Sequence, residues 1–280
     1  MLSWRLYQAL LFMLPLPFAG AYGWGWGVFS LIAFISLGLL LVEGVKSASL
    51  KSPALKKSVA IVLLLGGTQL IVLFQWLFTS NTPHDSYHDF IQGLALLAFF
   101  SLTVLLINTR ARLERAIWLV IIAAAFQALY GSFMVMSGLE WGFFSEKWTY
   151  LGKATGTFVN RNHLAGYLEM ALALGIGFLL ASSTRYSGDW LQRLRQFIKM
   201  LLSPKVIMRL TLGIMVIGLV MTRSRMGNTA FFASLMIAGG LALLLMKNKS
   251  RSTTILLSSL LIIDIAIVGT FFGVEKVAER

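Results

Sequence analysis

The sequence predicts an all-α, polytopic helical membrane protein. Three observations carry the prediction. The 280 residues are 58% hydrophobic and only 12% charged, and the mean hydropathy is +0.79. Apolar runs of 17–22 residues recur along the chain, each long enough to cross ~30 Å of hydrocarbon at ~1.5 Å per residue. Basic residues cluster between these runs rather than within them. A membrane β-barrel is excluded, because the runs are about twice the length of a spanning strand and do not alternate apolar with polar.

Taken in order, the runs predict nine crossings, at about 6–22, 24–42, 58–78, 90–107, 116–137, 164–181, 206–222, 228–246 and 253–272. The first carries Pro15 and Pro17, which bend it. Arg5, the apolar stretch and Ala19-Gly20-Ala21 also fit a signal peptide, but a first membrane helix is the preferred reading. Gly23-Trp24-Gly25-Trp26-Gly27 follows no strand and precedes no P-loop lysine, so it reads as a turn with interfacial tryptophans. Between crossings six and seven, Asp189 is a candidate N-cap. Trp190, Leu191, Leu194, Phe197, Ile198 and Leu201 follow at helical spacing, with basic residues between them. This predicts an amphipathic helix over about 189–202 on the cytoplasmic leaflet, serving as an anchor or a docking face. Residues 273–280 begin another external loop.

The net charge of +13 suggests nucleic acid when read alone, but its distribution follows the positive-inside pattern. Seventeen of the 24 Lys and Arg fall at Arg5, 46–57, 110–115, 185–209 and 247–251. The other seven are Lys147, Lys153, Arg161, Arg223, Arg225, Lys276 and Arg280. That bias predicts a cytoplasmic N-terminus. Cysteine is absent, which excludes disulfides, thiol nucleophiles and Cys-based metal sites.

The cations on the minority side are the informative ones. Asn160, Arg161, Asn162 and His163 stand at the start of crossing six, in GTFVNRNHLAGYLEM. Asn160 and Asn162 are good N-cap types. Capping does not account for Arg161, whose charge opposes the positive end of the helix dipole, whereas an anionic ligand would. Arg223 and Arg225 occupy the short turn TRSRMGN, as anchors at the headgroup level or as planar forks for phosphate oxygens. Glu169 lies on a stripe with Asn162, Gly166, Ala173 and Gly177. That stripe is expected to face the bundle interior. The acid there is a functional group or a structural partner of an arginine. Asp264, in crossing nine, reads as an interhelical hydrogen-bond partner.

His84 and His88, with Asp85 and Asp89, have the i,i+4 spacing of a metal-binding helix face. They follow Pro83 in NTPHDSYHD and read as a solvated loop or an acceptor contact, so no metal and no cofactor is assigned. The segment 138–155 carries Trp141, Phe143, Phe144, Trp148 and Tyr150. It reads as an interfacial aromatic belt or a platform for sugar rings.

GTFVNRNHLAGYLEM, followed about fifty residues later by TRSRMGN at another helix end, resembles the O-antigen ligase and O-antigen polymerase superfamily. The likeness in spacing and topology extends over most of the chain. It implies a GT-C-like helical membrane fold in the bacterial inner membrane, with its active face in the periplasm. The implied activity is metal-independent, inverting glycosyl transfer. The donor is a glycan on undecaprenyl diphosphate; the acceptor is lipid A core, a protein or another lipid-linked glycan. By motif, Arg161, Arg225 and Arg223 would hold the diphosphate, supported by Asn160 and Asn162. His163 and Glu169 are the candidates for handling the acceptor hydroxyl. In this superfamily a large periplasmic loop follows the corresponding helix and supplies a histidine, and VGTFFGVEKVAER resembles the entrance to that loop. The competing expectations are a transporter or lipid-binding protein that uses Glu169 and Asp264, and an inactive fragment.

Overall fold

The computed structural model describes residues 1–16, 22–47, 53–79, 81–142, 145–181 and 204–245. The expected helix at 189–202, crossing nine and Asp264 lie outside them. The described chain is helical: α1 (Leu2–Met13), α2 (Gly23–Ser47), α3 (Pro53–Phe74), a π-helical turn (Gln75–Thr79), α4 (Pro83–Leu106), α5 (Arg110–Ser137), α6 (Arg161–Ala181), α7 (Pro204–Met221) and α8 (Arg225–Leu245). Among the described residues, five helical stretches are long and apolar enough to cross a membrane: Gly23–Gly44, Ala54–Thr79, Pro83–Leu106, Arg110–Ser137 and Arg161–Ala181. The chain is therefore a multi-pass helical membrane protein.

The helices begin earlier than hydropathy alone predicts, because their first turns are polar. Pro83 stands at the start of α4, where its missing N–H costs no hydrogen bond. The segment expected to be a loop at NTPHDSYHD is thus the first two turns of a helix. At α5, Thr109 Oγ1 accepts from the Arg112 N–H at 3.3 Å. That cap starts the helix well before its apolar run.

The chain divides into two compact units. The first contains α1 to α4 and the start of α5. Here α1 runs antiparallel to both α2 and α4. Trp4 and Tyr7 pack with Leu40, Leu102 and Leu106, and Leu10 packs with Phe29, Ala33, Ala95 and Ala98. Small residues at this second level let the backbones approach, the main source of helix association where lipid is as apolar as leucine. Polar ties fix the register: Ser3 Oγ donates to Glu43 at 2.5 Å, and Tyr7 Oη to Thr103 at 3.0 Å. Arg112 lies over the Trp4 ring at 5.2 Å and donates to the Leu106 carbonyl at 3.0 Å.

The second unit holds the rest of α5, residues 146–156 of the segment leading to α6, and α6 to α8. In α6, Leu164, Ala165, Leu168, Ala171, Leu172, Gly175 and Leu179 form the buried face, against α7 and α8. In α7, Met208, Met215 and Leu219 are fully buried. Gly218 of α7 lies so near Ala128 of α5 that a Cβ would stand 2.7 Å from the Ala128 Cα. The stripe of Asn162, Gly166, Glu169, Ala173 and Gly177 does not face the interior as expected. Asn162, Ala173 and Gly177 are exposed, and a Cβ at Gly166 or Gly177 would meet open space. The neighbouring helices engage the leucine-rich face instead, leaving Glu169 half-buried at its margin.

Candidate functional site

Two helix starts meet in the second unit. Arg161 is the first residue of α6, and Arg225 is the first residue of α8. Asn160 caps α6, its Oδ1 accepting from the Asn162 N–H at 2.8 Å and its carbonyl accepting from the His163 N–H at 3.1 Å. Ser224 caps α8, its Oγ accepting from the Gly227 N–H at 3.2 Å. The same Ser224 hydroxyl donates to Asn162 Oδ1 at 2.8 Å. One hydroxyl thus ties the two first turns together. The positive ends of two helix dipoles share one neighbourhood, a setting that favours an anion.

Arg161 is the hub of this junction. Its Nη1 donates to the Arg223 carbonyl at 3.0 Å, just beyond the C-terminus of α7. Its guanidinium lies 5.6 Å from the centre of the Tyr150 ring. Its Nε is buried with no hydrogen-bond partner among the described residues. Both partners are themselves constrained. Tyr150 has φ +55° and Arg223 φ +50°, and they are the only non-glycine residues with positive φ among the described residues. Such a conformation costs a side-chain-bearing residue about 1–2 kcal/mol. Strain of this kind gathers where a geometry must be held. The conflict between Arg161 and the α6 dipole is therefore relieved in part by a carbonyl of the chain.

The other expected residues divide. Arg223 and Arg225 are exposed at the junction, one on either side of Ser224 in the chain. Glu169 lies two helical turns into α6, and its Oε1 would be 2.9 Å from a Cβ at Gly227. The carboxyl group thus reaches the first turn of α8, beside Gly227, whose backbone also lies close against Ala165. His163 is on the first turn of α6 with its side chain exposed. It shares a helix with Glu169, and no contact joins the two side chains among the described residues.

Three features went unread in the sequence. Ser224 precedes an apolar run with the signature of an N-cap, so its role was legible there. Asn228 is 8% exposed, and neither Oδ1 nor Nδ2 has a partner among the described residues. An unsatisfied buried amide costs about 1–3 kcal/mol. The third feature is Lys147, counted above as a cation against the topology bias. Its side chain is 6% exposed and pairs with Glu140 at 2.7 Å. Its Nζ also donates to the Tyr150 and Lys153 carbonyls at 3.1 and 3.0 Å.

Around Lys147 the segment 138–156 folds back on itself. Glu140 accepts from the Gly152 N–H at 2.5 Å. Burial alone would raise the Glu140 carboxyl, but the Lys147 hydrogen bond and charge and the Gly152 N–H hold it below its ordinary value. The Ala154 N–H donates to the Met221 carbonyl at 3.0 Å. Gly156, with φ +56°, lies against Gln127 so closely that a Cβ would stand 3.1 Å from the Gln127 carbonyl oxygen. These bonds carry Tyr150 to its place under Arg161. Trp148 is 74% exposed and Trp141 45%, so these two tryptophans point outward while the charges of the segment hold it together. No family model, no curated protein and no solved structure matches the chain.

Proposed function

We propose that the junction of α6 and α8 binds the diphosphate of a polyprenyl-linked glycan, and that the protein transfers the glycan to an acceptor hydroxyl. The observation that carries this reading is the convergence on Arg161. Two stretches about sixty residues apart bring two helix starts, three arginines and both strained residues of the described chain to one place.

The chemistry suits such a junction. In the transfer, the glycosidic C–O bond to the diphosphate breaks as the acceptor oxygen bonds to the anomeric carbon. The acceptor proton passes to a base, and the diphosphate leaves as an anion. Fixed cations and helix N–H groups beside that anion stabilise charge that grows in the transition state. Arg161 would act from within the junction, and Arg223 and Arg225 from its exposed rim. Glu169 sits below the rim with its carboxyl against α8 and is the group placed to orient an acceptor hydroxyl or receive its proton. Exposed His163 is the second candidate.

The Arg161 end of α6 faces the periplasm of a bacterial inner membrane. The donor is an undecaprenyl-diphosphate-linked glycan and the acceptor is lipid A core, a protein or a second lipid-linked glycan. The test is replacement of Arg161 or Arg225 by alanine in the full-length gene, read from glycan ladders at matched expression. Loss of ladders in Arg161→Ala supports the role. Ladders unchanged in both variants remove it.

A further inference from the structure

Far along the chain from that junction, in the first unit, α4 opens with two histidines one turn apart. His84 and His88 are both exposed. Their Nε2 atoms are 3.1 Å apart, their ring centres 4.5 Å apart and their planes at 89°. The contact is a bent hydrogen bond whose donor depends on the tautomer, and its two distances can also be set against two limiting arrangements. A straight N–H···N bond aims one ring at the other, and at this nitrogen spacing would hold the ring centres about 5.3 Å apart. Two imidazoles whose lone pairs converge on one ion, with bonds of ~2.1 Å at a right angle, put the nitrogens about 3.0 Å and the ring centres about 4.5 Å apart. The observed distances match the spacing of the second arrangement, so either a proton or a metal ion can lie between the two nitrogens.

The surroundings fix the pair in place. The ring of Tyr87 lies 5.8 Å from that of His88, and Tyr87 in turn packs on Trp76 of the π-helical turn at 5.2 Å. Trp76 also stacks on Phe90 at 6.1 Å. Asp85 and Asp89 are the neighbours in sequence and add negative charge to the same two turns. Among the described residues, no group of three or more His, Cys, Asp or Glu gathers in one place, so the pair would be two protein ligands with the remaining positions open.

We propose that His84 and His88 chelate a divalent first-row transition metal ion through their Nε2 atoms. Nitrogens about 3 Å apart fit neighbouring corners of a tetragonal or octahedral ion, the preference of Cu²⁺ and Ni²⁺. The general order of affinities places Cu²⁺ first. Water completes the coordination, and the exposure of the pair leaves an open face to the ion.

The test uses the full chain in detergent micelles, carrying no polyhistidine tag, titrated with CuCl₂ by calorimetry and followed by electron paramagnetic resonance. The expected result is saturable binding of one Cu²⁺ with splitting from two imidazole nitrogens. His84→Ala and His88→Ala should each weaken it at least tenfold, and His163→Ala should leave it unchanged. Both side chains are exposed, so these variants fold as the parent does, and unchanged circular dichroism checks that they have. Equal binding by the parent and the double variant, or no saturable binding by the parent, would overturn the proposal.

Discussion

Lys147 and Arg161 are two cations on the same side of the predicted charge bias, and their surroundings separate them. Every donor of Lys147 has a partner: Glu140, the Tyr150 carbonyl and the Lys153 carbonyl. Arg161 has one donor on the Arg223 carbonyl and one aromatic face beneath it, and its Nε is buried without a partner among the described residues. The first cation is saturated by the chain and holds a loop. The second retains capacity for an anion. A count of charges per loop treats them alike; coordination tells them apart.

The largest expected effect breaks the saturated half of this comparison. Lys147→Met leaves Glu140 and two carbonyls without their cation, and removing one member of a buried pair costs about 3 kcal/mol or more. Chemical denaturation in detergent should show that loss, and activity should fall with it because Tyr150 is released. Arg161→Ala should do the reverse, lowering transfer about 100-fold while stability falls by only about 1 kcal/mol. Equal stability losses in the two variants would erase the distinction.

Smaller effects sharpen it. Arg223→Gly removes a guanidinium but also relieves a left-handed backbone. Stability should rise by about 1 kcal/mol while transfer falls, a pairing of opposite signs that a purely structural arginine would not give. The smallest effect concerns pH. Because the Glu140 carboxyl is held below its ordinary value, its contribution is present above the usual carboxylate range, near pH 4.3. It should fade as pH falls through the lower folded value. Glu140→Gln should flatten that part of the stability profile.

What the sequence disclosed follows the same division. Long apolar runs identified the membrane helices, since burial in lipid demands them regardless of tertiary context. Helix starts were misplaced wherever the first turn is polar, as at His84–Asp89 and at Arg110. Asn160 was legible as a cap because capping is local. The meeting of Ser224 with Asn162 was not, because it joins residues about sixty positions apart. The outward turn of the Gly166–Gly177 stripe was misjudged for a related reason. Small residues permit close packing, but the leucines and alanines on the adjacent face of α6 are where α7 and α8 engage it. The left-handed conformation of Tyr150 and Arg223 leaves no mark in residue type, since neither is a residue that favours it.

Binding measures most directly whether Arg161 is a ligand for a lipid diphosphate. The purified chain in lipid nanodiscs should be titrated with undecaprenyl diphosphate, with undecaprenyl monophosphate as the comparison ligand, for the parent and for Arg161→Ala. The parent should prefer the diphosphate, and Arg161→Ala should lose at least tenfold in affinity for it while remaining folded. Equal affinity of parent and variant for the diphosphate would contradict that role.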